Sequence, residues 1–219
     1  MPATAPNRSA ATPRGARSAI RRRIQRRRLA TAWTEEILGW CDGRWWALRV
    51  PVLVYLAYAW IRHTQLPTYQ SLFKGLNLGI HELGHFVFAG LGEMPAVLGG
   101  SFLQCFVPIL AIFMFLYQRD YFGIAFSFGW LGTNYFEVAV YAGDAVLKRL
   151  PLVTPGGGEP IHDWNYLLGN YGWLRHTETI AGAHAAMGHL CMALSLAAGG
   201  WLTWLMFRSA LRRRLETGL

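Results

Sequence analysis

Two histidines and a glutamate stand close together in the run Ile80-His81-Glu82-Leu83-Gly84-His85-Phe86-Val87. Histidines four residues apart on a helix project from one face, one turn apart, so both imidazoles can reach a single metal ion. Glu82, beside the first of them, is then placed to take a proton from a water activated at that metal. This is the His-Glu-x-x-His arrangement of zinc hydrolases. Its setting adds to the signal. From Leu76 to Leu91 no other side chain is ionisable, and apart from Asn77 the rest of the run is apolar. A carboxylate and two imidazoles are costly to place in hydrocarbon, so such groups mark function by default. The plainer alternative is a membrane helix whose histidines hydrogen-bond to a neighbouring helix.

The elements that must hold these residues are membrane spans. The chain has 219 residues, 53% hydrophobic and only 15% charged, well below the charge of an ordinary soluble domain. Ala96 to Tyr117 carries no charge over a length sufficient to cross a bilayer core. The reading is an all-α, polytopic helix bundle of about five to six transmembrane segments, with no room for a second folded domain. Residues 1–32 form a disordered to basic cytoplasmic tail, 33–207 the bundle, and 208–219 a basic C-terminal tail. Spans are expected near Trp45 to Ile61, Leu72 to Leu91, Ala96 to Tyr117, Tyr121 to Ala145 and Ile180 to Phe207. Gly75 and Gly79 form a Gly-x-x-x-Gly face on the second span, and Gly84 sits inside the motif; such small residues allow close helix packing.

The net charge of +9 is concentrated at the N-terminus, where every ionisable side chain from Arg8 to Arg28 is an arginine. Such a segment favours anionic lipid and stays in the cytoplasm. A transit peptide or a nucleic-acid-binding arm shares this composition, but an apolar span follows, and no nucleic acid is expected as partner. No apolar core follows soon enough for a secretory signal peptide. Trp33, Trp40, Trp45 and Trp46 suit an interfacial belt. Cys41, Cys105 and Cys191 are scattered and imply neither a disulfide framework nor a thiolate metal site.

Five full spans would leave one Arg-rich end outside. The segment around Pro155-Gly156-Gly157-Gly158-Glu159-Pro160 cannot be regular helix, and a short helix follows it. A re-entrant or half-span near 150–174 makes the count even and puts both termini in the cytoplasm. The expected location is the bacterial inner (cytoplasmic) membrane.

Catalytic zinc usually has three protein ligands. The candidates for the third are Asp163, His162, Glu137, Asp144, His176, His184 and His189. Asp163 follows the irregular segment and opens a helix, with no apolar reason to be there; His162 is its neighbour. On the fourth span Asn134, Glu137, Tyr141 and Asp144 form one polar stripe, suited either to supporting the metal or to interhelical hydrogen bonds. His184 and His189, five apart, point about 140° away from each other around a helix. His184 with His85 could in principle face each other across a haem, which would leave Glu82 without a role.

The segment His81-Glu82-Leu83-Gly84-His85-Phe86-Val87-Phe88-Ala89-Gly90 in an apolar helix resembles the site-2 protease family of intramembrane zinc metalloproteases. The resemblance is specific over residues 76–91 and architectural elsewhere. It implies that His81 and His85 bind Zn2+, that Glu82 is the general base, and that Asp163 is the third ligand. It also implies a membrane protein or peptide substrate cleaved within the bilayer. One difference stands: the family's aspartate is usually followed by glycine, whereas Trp164 follows here. Two other classes share the residues: a catalytically silent metal-binding membrane scaffold, and a zinc hydrolase of lipids or small molecules. A structural site would have no use for Glu82.

Overall fold

A computed structural model describes residues 31–152 and 161–217. The N-terminal arginine tail before residue 31 and the Pro/Gly run at 153–160 lie outside the described residues. Among those described, the chain is all-helical, with no strand. The helices are α1 (31–41), α2 (Val50–Gln65), α3 (Lys74–Phe88), α4 (Glu93–Tyr117), α5 (Tyr121–Gly143), α6 (Asp163–Asn170) and α7 (Thr177–Thr217). The apolar runs of the sequence become α2 to α5 and α7, and the expected short helix becomes α6.

Two compact units divide the chain between Arg44 and Trp45. In the first, α1 ends in a turn where Arg44 Nε donates to the Trp40 carbonyl at 2.7 Å and its guanidinium lies over the Trp40 ring. The second unit holds α2 to α7.

Local chemistry marks the helix ends. Pro51 in the first turn of α2 occupies a position where no backbone donor is needed. Asp120 caps α5, its Oδ1 accepting from the Gly123 N–H at 3.0 Å. Gly92, with φ of 106°, makes the sharp passage from α3 to α4 in a backbone conformation closed to most side chains. The passage turns α4 back along α3.

Within the second unit, α5 packs along α7 and against α4, while α3 packs along α4. Among the described residues, two regions, α4 and the run Leu174–Thr217, are long and apolar enough to cross a membrane. α7 continues without a break through Arg208, Arg212, Arg213 and Arg214, so the basic C-terminal residues extend that helix.

The close helix contact is not where Gly75 and Gly79 suggested. Both face open space, with nothing near a side chain added there. Instead Gly84 of α3 meets Gly99 and Gly100 of α4: a Cβ at Gly84 would lie 2.6 Å from the Gly99 carbonyl carbon. The backbones of α3 and α4 therefore touch directly at the level of the histidines. Only glycine on both helices permits that approach.

Candidate metal centre

α3 brings His81 and His85 to one face, as their spacing dictates, with their ring centroids 4.9 Å apart. α6 supplies Asp163 as its first residue. His81 Nε2 lies 2.9 Å from Asp163 Oδ2, and His85 Nε2 lies 3.3 Å from the same oxygen. His81 and Asp163 are buried and His85 is half-buried. Glu82 is also half-buried, within electrostatic reach of His85 and Tyr141.

Each imidazole is held by its other nitrogen. His85 Nδ1 donates to the Ala96 carbonyl oxygen at 2.9 Å. His81 Nδ1 lies 3.0 Å from Gln104 Oε1, to which it donates. A carbonyl oxygen only accepts, so in the neutral rings both protons reside on Nδ1 and both Nε2 atoms present lone pairs. Those lone pairs converge on a carboxylate oxygen, which is itself an acceptor. A cation, or a proton on one ring, must lie between them.

Two imidazoles and one carboxylate form a donor set of catalytic zinc sites. Zinc bonds of about 2.0–2.2 Å in tetrahedral array separate ligand atoms by about 3.3 Å. The three ligand atoms here all lie within 4.8 Å of one another. A further feature keeps space for an ion. A Cβ at Gly100 would lie 2.7 Å from His81 Nε2 and 2.7 Å from His85 Nε2, so glycine alone leaves the imidazoles where they are. The residues fit a divalent metal.

The chain matches no family model, no curated protein and no solved structure. The site therefore has to be judged on its own chemistry.

Three contacts position α6. The Tyr141 hydroxyl accepts from the Asp163 N–H at 3.1 Å, holding the first turn of α6 against α5. Trp164 Nε1 donates to Ser101 Oγ at 3.2 Å, tying the next residue to α4. His162 Nδ1 accepts from the Asn165 N–H at 3.3 Å and caps the helix. Its Nε2 is turned to Asp144 Oδ2, 3.4 Å away. His162 thus orients the helix and does not join the cluster.

The polar stripe on α5 separates into different tasks. Glu137 Oε2 accepts from Gln104 Nε2 at 3.1 Å, one hydrogen bond behind His81. Tyr141 packs its ring against His81 and His162. Asp144 accepts from the backbone N–H groups of Arg149 and Leu150, both at 2.9 Å, and organises the turn after α5. Asn134 donates to the Trp130 carbonyl of its own helix. His176 accepts from Arg175 Nε at 3.0 Å. His184 donates to the Ile180 carbonyl and lies against Trp164 and Tyr135. His189 accepts from Trp60 Nε1 at 2.7 Å. None of these three joins the cluster.

The sequence does not assign Gln104, Gly100 or Trp164 to the centre, and it offers Tyr141 only as part of the polar stripe. A lone amide in the apolar run of α4 was the available signal for Gln104, since such groups in membrane helices face a partner. For Gly100 the sequence shows only a glycine pair in the third span, not which helix approaches it.

Proposed function

We propose that the chain is an intramembrane zinc metallopeptidase resembling the site-2 protease family, with His81, His85 and Asp163 as ligands and Glu82 as general base. The single observation that carries the reading is the convergence of two Nε2 lone pairs and one carboxylate, with Glu82 within electrostatic reach of His85. The polytopic bundle of about five to six segments, with a half-span near 150–174 and both termini cytoplasmic, is part of the same proposal. It is supported by the limited burial of the two longest apolar helices. Only 33% and 39% of their apolar windows is covered by the rest of the chain, whereas the core helix of a soluble protein would be mostly covered. Large apolar side chains such as Phe113, Phe86 and Val54 face outward on three different helices, as lipid contact requires.

When bound, zinc polarises a peptide carbonyl and makes water acidic enough to be deprotonated near neutral pH. The chain's own groups do the rest. The Glu82 carboxylate takes a proton from the attacking water as its oxygen bonds to the carbonyl carbon. It returns that proton to the amine nitrogen as the C–N bond breaks. Ala96 and Gln104 keep the imidazoles oriented. The half-exposed side of His85 and Glu82 is where an unwound peptide can approach; a substrate still in helix would hide its carbonyl in its own hydrogen bonds.

The test pairs metal content with cleavage of a model transmembrane substrate in proteoliposomes. Glu82→Gln is expected to retain zinc and lose about 10²–10⁴-fold in rate. Full activity in Glu82→Gln would defeat the hydrolase reading. Wild type that carries zinc but hydrolyses only a lipid ester would redirect it to a lipid hydrolase.

A further inference from the structure

Glu137 is a buried carboxylate on α5 that takes no direct part in the cluster. Such a group in an apolar bundle is costly, and its surroundings show what it is tied to. Lys74 Nζ, on the first residue of α3, lies 4.0 Å from Oε2 with 40% of the lysine side chain exposed. The same oxygen accepts from Gln104 Nε2 at 3.1 Å. With Glu137 Oε2 as the acceptor, the amide of Gln104 turns its nitrogen toward Glu137. Its oxygen then faces His81 Nδ1 at 3.0 Å, and that oxygen can only accept. His81 must therefore carry its proton on Nδ1, with the Nε2 lone pair left for the cluster. The opposite tautomer would set the Nδ1 lone pair against the amide oxygen and aim the proton of Nε2 into the ligand site.

We infer that Glu137, acting through Gln104, sets the tautomer of His81 and thereby its strength as a metal ligand; the ligand part of this rests on the proposed zinc centre. Glu137 and Gln104 are positioning residues. The two histidines differ in a useful way. The His85 tautomer depends on a backbone carbonyl, Ala96, which no substitution in α5 removes. The His81 tautomer depends on two side chains from two other helices, and both can be exchanged. His85 is thus an internal control.

The experiment uses full-length, metal-free protein in detergent with 15N-labelled histidine, at an alkaline pH at which the spectra themselves show both rings neutral. Long-range 1H–15N spectra read the tautomer of each ring, and zinc affinity is measured by chelator competition. In wild type both rings are expected to carry the Nδ1 proton. Gln104→Leu should shift His81 toward the Nε2–H form, leave His85 unchanged, and weaken zinc by about 10–100-fold. Gln104→Glu opposes two carboxylates. Adding Glu137→Gln to it rebuilds the link, since the new carboxylate accepts from both neighbours. The double variant should keep the wild-type tautomer and recover the affinity lost in Gln104→Glu, which separates this role from a loss of folding. An unchanged His81 tautomer in Gln104→Leu, or a folded double variant that recovers nothing, overturns the inference. A tautomer that responds as expected in a protein that binds no zinc supports the tautomer-setting role and overturns the metal reading instead.

Discussion

α3 and α7 each carry two histidines close in sequence, and only the pair on α3 makes a site. Spacing is the first difference: four residues put His81 and His85 on one face, and five send His184 and His189 to different neighbours. The second is what each nitrogen meets. On α3 both Nδ1 atoms are occupied by carbonyl-type acceptors, so both Nε2 lone pairs remain for a third group brought from α6. On α7, His189 satisfies an indole N–H and His184 a backbone carbonyl, each with an aromatic neighbour. A histidine in an apolar bundle is thus a packing residue when its partners differ, and a ligand when several acceptors converge with no donor among them. The glycine contact sharpens this contrast. Gly84, Gly99 and Gly100 bring α3 against α4 closely enough for Ala96 and Gln104 to hold the rings.

The contrast can be broken most severely at the ligands. His85→Ala should abolish stoichiometric zinc, whereas His184→Ala should leave it intact; elemental analysis of both purified variants decides. Equal metal in the two would remove the distinction altogether.

Next in expected size is the glycine that leaves room for the rings. Gly100→Ala adds a carbon 2.7 Å from both Nε2 atoms, while Gly182→Ala on α7 meets nothing within 4 Å. Zinc affinity should fall at least about tenfold in the first, a displacement of both ligands being worse than loss of one supporting contact. The second should bind as wild type and fold at least as well, because alanine favours helix over glycine by about 1 kcal/mol. A chelator titration beside a thermal melt reads both.

Two aspartates near α6 offer a smaller step. Asp163→Asn keeps an oxygen but removes the negative charge, so zinc should weaken and its pH dependence change. Asp144→Asn should retain zinc while losing part of the turn at Arg149 and Leu150, which one acceptor oxygen can no longer serve. The assignment of Asp163 fails if the two titrate alike.

The least effect is expected from His189→Phe. It removes the acceptor for Trp60 and should cost about 0.5–1.5 kcal/mol of stability through the lost hydrogen bond, with zinc unaltered. Loss of metal there would tie the α7 histidines to the centre after all.

Much of this was local enough to read from the chain. The apolar runs mark the helices because a helix closes its own backbone hydrogen bonds and needs only an apolar exterior. His81 and His85 belong together because helix geometry alone sets their directions. Asp163 stood out by its position after an irregular run. The division of labour around it was not legible. Whether His162 or Asp163 turns inward depends on which of them caps α6, and the Asn165 N–H and Asp144 together decide that. Nor could the stripe on α5 be apportioned, since Glu137 and Asp144 have the same chemistry and differ only in what lies opposite.

What the sequence by itself determined is therefore the face of α3 that carries both histidines, since one turn of helix is a short-range constraint. The tertiary structure decided which glycines form the helix contact, which carboxylate meets the imidazoles, and which amide stands behind His81. Gly75 and Gly79 had the better packing pattern, yet Gly84 and Gly100 make the contact, because the partner's register is a property of two helices and not of either one. The same physical reason applies to Gln104. Its two ends are defined by Glu137 and His81, residues on different helices that only folding brings within hydrogen-bond distance.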